Sequence, residues 1–334
     1  MSSSPYNLRS RATSAESGAD QTAAAAQAPA EELPAMPVGF SKTAFPHLRQ
    51  RYDWDCGLVC CQMCLKWVNK AQSFAAITSR CTTQSTWSID LAYLLHGYGI
   101  DARYFTITWG ADDSYQAIDY YKENLVHDKA RVNSLFQRAS EIGLHVEMRS
   151  VEMDQIIEAL KKETCVTIVL VDTQRFEEGC AAVAERRRKQ GRGATVESEE
   201  AAALQRLPHS LPPTGIDRGF VGHYVVLVAY REDQDVFEIS DPGVAAERRV
   251  IDRVALELAR KRHGTDEDLL VIDVAPLIAR AEAAAQVRVA TDAVMLWLVW
   301  VGPGGRLGLS QTVVQFVSLV VQGMLAMQPL PREA

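Results

Sequence analysis

The chain has 334 residues, of which 47% are hydrophobic and 23% are charged, and its formal net charge is −7. Such values are typical of a globular protein with one large domain or two smaller ones. The acidic balance argues against a nucleic-acid partner bound through its phosphates. An odd number of cysteines, seven, and the lack of an apolar signal segment favour a reducing compartment. We therefore expect free thiols and a cytoplasmic location.

The N-terminal residues 1–39 are rich in serine, alanine, glutamate and glutamine and show no apolar periodicity. This composition predicts a disordered segment. An organellar transit peptide is the alternative, since Arg9 and Arg11 accompany several serines, but Glu16 and Asp20 count against it. The ordered domain is predicted to span residues 40–274.

Within this domain, helical patterns come first and most of the strand-like runs come later. A helix is predicted at 58–68, and Ser88 can cap a second helix that ends at Gly97 or Gly99. Further helices are predicted at 132–142, 153–162 and around 250–261. Strands are predicted at 103–108, 146–150, 165–172, 223–230, 236–240 and 269–273. This order is typical of the α+β class.

Two regions interrupt the pattern. Residues 174–219 contain the basic run 186–189 together with glycines and prolines, so they are predicted to form a mobile insertion between core strands. The basic run is interpreted as a solvated loop, with a localisation or docking signal as the alternative. Residues 275–334 form an apolar appendage. Membrane contact through 293–327, a partner-binding tail and a buried appendage all stay open for it.

The strongest chemical signal is the run from Gln50 to Gly57. Cys56 lies at the start of the first predicted helix, where unpaired N–H groups and the helix dipole stabilise a thiolate. Gln50, six residues upstream, is placed to donate its amide N–H to a developing oxyanion. Gly57 removes bulk next to the reacting atom. A cysteine in an apolar helix is otherwise a packing residue, which is our interpretation of Cys60 and Cys64.

A histidine and an acid follow much later in the chain. His223 begins an apolar strand and Asp241 ends the next one, so a hairpin would bring Asp241 beside His223 Nδ1. Taken alone, Asp-Pro-Gly at 241–243 is ordinary turn chemistry. In combination, we predict Cys56 as nucleophile, His223 as base, Asp241 as orienting acid and Gln50 as oxyanion donor.

Metal-dependent alternatives have weaker signals. Cys61-x-x-Cys64 is a single pair without a second Cys/His pair at zinc-ligand spacing, and no strand precedes it as in a thioredoxin-like redox unit. Asp53 and Asp55 are a carboxylate pair that a divalent metal would use in phosphoryl chemistry. The sequence has no Gly-rich phosphate loop with a following lysine.

Five blocks carry a resemblance to a known family: YDWDCGL at 52–58, WSIDLAYL at 87–94, RVNSLF at 131–136, GHYVVL at 222–227 and GTDED at 264–268. In this order they resemble the guanylyl-cyclase-domain-containing protein family of animals, plants and algae, over about residues 45–274. The resemblance implies conversion of GTP to cyclic GMP with Mg or Mn.

The order of glutamine, Cys-Gly, helix, histidine and aspartate is also similar to papain-like folds, especially the bacteriocin-leader peptidases attached to transporters. This second resemblance implies N-terminal helices packed on a mainly antiparallel sheet. It also implies cofactor-free hydrolysis of a peptide or isopeptide bond in a peptide or protein substrate, with the same four site residues. Guanylyl cyclase is the alternative function. A non-catalytic interaction module on the same scaffold is the second alternative.

Overall fold

The computed structural model describes residues 41–81, 83–122, 124–190 and 219–301. The described residues belong to two compact units, 41–274 and 275–301. Three predictions concern residues outside this part of the chain. They are the disordered segment 1–39, residues 191–218 of the insertion and residues 302–334 of the appendage.

The first unit contains both helices and strands. The helices are α1 (Cys56–Trp67), α2 (Phe74–Arg80), α3 (Ser88–Gly97), α4 (Asp119–Lys122), α5 (Leu125–Arg138), α6 (Met153–Lys161), α7 (Thr173–Gln190) and α8 (Arg253–Arg260). The strands are β1 (Ala102–Thr106), β2 (His145–Met148), β3 (Cys165–Asp172), β4 (Gly222–Arg231), β5 (Val236–Ser240), β6 (Arg249–Asp252) and β7 (Leu269–Asp273). The second unit is helix α9 (Ala275–Val301).

All seven strands form one sheet in the order β2-β1-β7-β3-β4-β5-β6. Only β1 and β2 run parallel among the neighbouring pairs of these described strands, and the other pairs are antiparallel. The predicted α+β class with a mainly antiparallel sheet is therefore confirmed. Every residue of β3 is buried, since the strand lies between β7 and β4 and helices cover both faces.

One face of the sheet holds the core that supports the site. Alternating residues of β3, β4 and β5 pack there against the apolar sides of α6, α7 and α8. In α6, the buried residues Met153, Ile156, Ile157 and Leu160 follow the helical spacing i, i+3, i+4, i+7. On the other side, α1 packs against β4 and α3.

The predicted start of one helix is wrong because residues 249–252 form strand β6. The predicted helix 250–261 begins instead at Arg253, where the Asp252 carboxylate accepts a hydrogen bond of 2.8 Å from the Ala255 N–H. The residues before it form a strand, in which Ile251 pairs with Phe237 of β5.

Ser88 does not cap helix α3, contrary to the prediction. Asp90 accepts from the Trp87 N–H at 2.9 Å, and the Ser88 hydroxyl lies 2.8 Å from that of Tyr224.

The first part of the predicted insertion 174–219 is an ordered helix rather than a loop. Residues 174–190 belong to α7, which packs against β6 and α8. Its buried residues Phe176, Cys180 and Val183 recur at helical spacing, and this apolar side explains the packing.

Helix α9 includes the first residues of the predicted membrane-contact region 293–327. Within the described part of the chain, no helix is both long enough and apolar enough to cross a bilayer. The second apolar run, 312–327, lies outside that part.

A stability measurement tests the packing of α7. A β-carbon at Gly179 would lie 2.7 Å from Ala255 Cβ, an atom that cannot rotate away. Helix propensity alone would make Gly179→Ala stabilising by about 1 kcal/mol. Overpacking costs about 1–3 kcal/mol, so we expect a lower free energy of unfolding in urea.

Ala184→Gly, at an exposed position of the same helix, measures the propensity effect without the contact. Equal or higher stability of Gly179→Ala relative to the wild type would contradict the close approach of α7.

Candidate functional site

Cys56 is the first residue of α1, as the sequence predicts, and only 6% of it is exposed. The preceding residue, Asp55, is fully buried, and its carboxylate accepts backbone hydrogen bonds of 3.2 Å from Arg51 and Tyr52. These bonds fold the 50–55 loop back onto the start of the helix. The thiol therefore lies where the first N–H groups of α1 have no intrahelical acceptor.

His223 and Asp241 are brought together by the antiparallel pair β4–β5. His223 Nε2 lies 2.8 Å from Asp241 Oδ1, and both side chains are almost completely buried. The predicted partner nitrogen was Nδ1, which is wrong. An interaction with Cys56, like the one with Asp241, raises the pKa of His223.

The His223–Asp241 pair is charged at neutral pH. Burial opposes a charge on His223, but hydrogen bonds with Asp241 and Cys56 outweigh it and raise the pKa of His223 to about 10. Burial also opposes ionisation of Asp241, yet the hydrogen bonds with His223, Arg249 and the Gly243 N–H lower its pKa to about 2. A buried imidazolium is thus available to pair with a thiolate.

Two residues of the site were missed in the sequence. Arg249 Nη1 donates to Asp241 Oδ2 at 2.6 Å, and Arg249 forms a two-pronged pair with Glu177 at 2.7 and 2.8 Å. Arg249 begins β6 and Glu177 lies in α7, the two elements that were assigned to a helix and a loop. The helical spacing of Phe176, Cys180 and Val183 was the signal that would have revealed α7.

Gln50 lies beside the turn that follows Asp241, because its backbone N–H donates to the Pro242 carbonyl at 2.9 Å. Its side-chain amide serves its own loop: Nε2 donates to the Tyr52 carbonyl at 2.8 Å. Gln50 Oε1 is buried without a hydrogen-bond partner among the described residues. Gln50 therefore lies next to the Asp241 turn, and its side-chain amide donates to the Tyr52 carbonyl.

Gly57 allows helix α1 to pack closely against its neighbours. A β-carbon there would lie 2.9 Å from Leu91 Cδ1 and 3.0 Å from Tyr224 Cδ2. Its absence lets α1 approach both α3 and β4. Since Tyr224 follows His223 directly, this contact also fixes the distance between the helix that carries the thiol and the strand that carries the histidine.

The other cysteines are buried, as expected for packing residues. All seven cysteines lie in the described part of the chain and carry free thiols. Burial raises the pKa of the six besides Cys56, which lowers the thiolate fraction of each. Cys60 Sγ donates to the Tyr224 carbonyl at 3.4 Å. Among the described residues, no group of three or more His, Cys, Asp or Glu is arranged to hold a metal ion.

A second set of buried acids lies in the loop before β7. Burial raises the pKa of Asp266 to about 6, and burial with the nearby charge of Asp266 raises the pKa of Asp268 to about 8. The Tyr104 hydroxyl donates to Asp268 at 3.0 Å, and the Thr108 hydroxyl donates to Asp266 at 2.7 Å. Asp266 has a left-handed backbone (φ 51°), so these bonds hold a strained turn.

The fold and the site define an α+β protein in which one seven-stranded sheet supports a buried histidine–aspartate pair beside a cysteine at a helix start. The family model described as "Guanylylate cyclase" matches residues 45–272. The protein "Guanylyl cyclase 1" of Arabidopsis thaliana is 35% identical over 234 residues, which cover 69% of this chain and 75% of that protein. The chain therefore belongs to the guanylyl cyclase family that this model describes.

The pH dependence of stability tests the buried pair. Because the pKa of His223 rises from 6.5 to about 10 on folding, its contribution is fully present below pH 6.5 and is lost as the pH rises towards 10. Because the pKa of Asp241 falls from 3.8 to about 2, its contribution is present above pH 3.8 and is lost as the pH falls through 2. The pair thus contributes most between pH 3.8 and 6.5.

We expect Asp241→Asn to lower the free energy of unfolding by about 3–5 kcal/mol near pH 5, and by less as the pH rises towards 10. Urea titrations across this pH range measure the difference. The control Asp154→Asn removes a carboxylate that is 79% exposed and paired with Arg253, and it should cost less than about 1 kcal/mol at every pH. A constant cost of Asp241→Asn at all pH values would count against the charged pair.

Proposed function

We propose that the chain is a cysteine-dependent hydrolase that cleaves a peptide or isopeptide bond. The observation that carries this proposal is the buried imidazole of His223, which is hydrogen-bonded to Asp241 and whose pKa is raised in part by Cys56, the first residue of α1. The raised pKa of His223 supports an imidazolium at neutral pH, the form that can donate a proton to the leaving group. The position of Cys56 at the start of α1 supports it as the reacting thiol.

The proposed reaction uses the groups of the site in two steps. The Cys56 thiolate attacks the substrate carbonyl, the carbon–nitrogen bond breaks, and His223 gives its proton to the leaving amine. Water then attacks the thioester, His223 takes its proton, and the thiolate leaves to regenerate the enzyme. Asp241 holds the ring throughout. The reaction requires no cofactor.

The negative charge that develops on the substrate carbonyl oxygen requires hydrogen-bond donors that converge on that oxygen. The backbone N–H of Cys56 is one, because it belongs to the first turn of α1. Gln50 is the other, provided that its amide releases the Tyr52 carbonyl when substrate binds. The contact of the Gln50 backbone with Pro242 supports this role, since it holds Gln50 beside the Asp241 turn.

The finer fold assignment is also part of the proposal. We infer a papain-like arrangement because the helix that begins with the cysteine packs on β4, the strand that carries the histidine. The acid comes directly after the next strand, β5, of the same mainly antiparallel sheet. Free thiols support a reducing, cytoplasmic setting.

A polypeptide substrate is supported by an exposed aromatic ring four residues before Cys56 in the chain. Tyr52, 54% exposed, stacks on Trp54 with ring centroids 5.6 Å apart in the loop that leads into Cys56. Such a surface suits an apolar or aromatic side chain of a bound peptide. We propose a peptide or protein as the partner of this site, and no nucleic acid.

Guanylyl cyclase is the second candidate, and it is favoured by the matching family model and by the name of the Arabidopsis relative. Its substrate would be GTP with Mg or Mn. The predicted pair Asp53 and Asp55 does not fit such a metal, because the Asp55 carboxylate is fully buried and engaged by two backbone N–H groups.

Labelling with an iodoacetamide-based thiol probe at pH 6–7 tests the first candidate. We expect the folded wild-type chain to be labelled at Cys56, because only this thiol has His223 as its partner. Cys56→Ala should abolish labelling, and His223→Asn should slow it at least tenfold, which is at the low end of the rate contribution of a positioned base. The matched control Cys60→Ala, one turn further along α1, should be labelled like the wild type.

Cyclic GMP formation from GTP with Mn separates the two candidates. Production of cyclic GMP that persists in Cys56→Ala would favour the cyclase and contradict the hydrolase. Absence of both labelling and cyclic GMP would favour a non-catalytic interaction module on the same scaffold.

A further inference from the structure

Strand β6 places a cation next to the acid of the site. Arg249 pairs with Ile239 in the β5–β6 register, two residues before Asp241. This pairing directs the guanidinium to Asp241 Oδ2 at 2.6 Å, on the side of the carboxylate opposite His223.

Arg249 is itself held from two sides. Glu177 accepts both prongs of the guanidinium at 2.7 and 2.8 Å, and the Phe176 ring lies below it, 5.1 Å from the ring centroid to Arg249 Cζ. The same Phe176 ring lies 6.4 Å from the imidazole of His223. A planar guanidinium with a two-pronged partner and a ring beneath it has one orientation, which a lysine would not reproduce.

The charges in this row alternate in sign. Asp241 is a single carboxylate between two cations, His223 and Arg249. Without a second anion beside it, Arg249 would compete with the imidazolium for the negative charge of Asp241. Glu177 offsets the charge of Arg249 while leaving its hydrogen bond to Asp241 in place. The carboxylate of Asp241 is thus held in position by Arg249 and remains available to His223.

We propose that Arg249 and Glu177 are positioning residues of the Cys56–His223–Asp241 site. Arg249 fixes the Asp241 carboxylate, and Glu177 balances Arg249, so that His223 keeps its proton. The inference rests on the proposed function. Neither residue contacts the reacting atoms, and neither is assigned a chemical step.

The groups that face His223 come from four elements. Cys56 of α1 and Asp241 after β5 contact it directly, while Arg249 of β6 and Glu177 of α7 act through Asp241. The thiols of Cys60 in α1 and Cys180 in α7 also lie near the charges of this row, and burial keeps the pKa of both above the usual range. The effect of Glu177 on His223 is therefore electrostatic and passes through one arginine and one carboxylate.

The test is the Glu177→Gln variant of the full chain, with two readouts. The substitution leaves the positive charge of Arg249 without its anion, which disfavours the imidazolium, so the titration midpoint of His223 should fall. The NMR titration of the His223 imidazole, assigned with His223→Asn, measures this shift directly. The alkaline limb of the iodoacetamide rate at Cys56 should move to lower pH with it.

Arg249 gives the complementary result. Arg249→Met removes the second partner of Asp241 and should lower the alkylation rate of Cys56 at pH 7 by about tenfold or more, in the range known for supporting residues of metal sites. Arg249→Lys keeps the charge without the fork, so it should restore the pH profile and only part of the rate. If Arg249→Met does not fold, Glu177→Gln decides, since its side chain is 40% exposed.

Arg186→Met is the matched control. Arg186 of α7 pairs with Asp252 at the end of β6, at 2.5 Å, away from Asp241. This variant should leave both readouts unchanged. An unmoved His223 titration in a folded Glu177→Gln variant would overturn the proposal. If wild-type Cys56 is unreactive towards iodoacetamide, the hydrolase proposal fails, while the His223 titration still decides the roles of Arg249 and Glu177.

Discussion

Asp241 is a fully buried carboxylate, so its negative charge requires hydrogen-bond donors around it. Three strands and one helix are arranged so that they supply these donors and their partners. β4 supplies His223, the turn after β5 supplies the Gly243 N–H, and β6 supplies Arg249. Arg249 in turn needs Glu177, which fixes α7 against β6. The loop before α1 is joined to the same turn through Gln50 and Pro242. A single charge thereby links the start of the thiol helix to one end of the sheet.

The parts of the site that sequence reasoning finds are those with a local signal. Cys56 stands directly before an apolar helix, and His223 and Asp241 mark the ends of two strongly apolar strands. Arg249 and Glu177 have no such signal, because their role depends on the β5–β6 register and on the packing of α7. The run 249–261 contains a strand and then a helix without a glycine between them, so its periodicity suggested one helix. A cap at Asp252 was the feature that separates the two.

The fold was predictable at the level of class and sheet, since helices precede most strands along the chain and the strands are short and apolar. The role of Gly57 could not be predicted, because it depends on Leu91 and Tyr224, which lie far away in sequence. The burial of Asp266 and Asp268 could not be predicted either, because a Thr-Asp-Glu-Asp sequence is typical of a solvated turn. Only the tyrosine and threonine hydroxyls that surround these acids explain why they are tolerated inside.

Family membership and site geometry bear on different questions. The guanylyl cyclase family is shown by a match over residues 45–272, while the arrangement of Cys56, His223 and Asp241 supports thiol chemistry. A family name describes a lineage, and the chemistry of a member has to be argued from its site. In our proposal Cys56, His223 and Asp241 act as nucleophile, base and orienting acid, and among the described residues no group of three or more His, Cys, Asp or Glu is arranged to hold a metal ion.

The central claim is that Cys56 and His223 form a thiolate–imidazolium pair in the folded chain. The ultraviolet absorbance of the thiolate at pH 6–7 measures this state without any substrate. We expect a thiolate band in the difference spectrum between the wild type and Cys56→Ala. The band should be absent when the His223→Asn variant is measured in place of the wild type. Identical spectra of the wild type and Cys56→Ala at this pH would contradict the account.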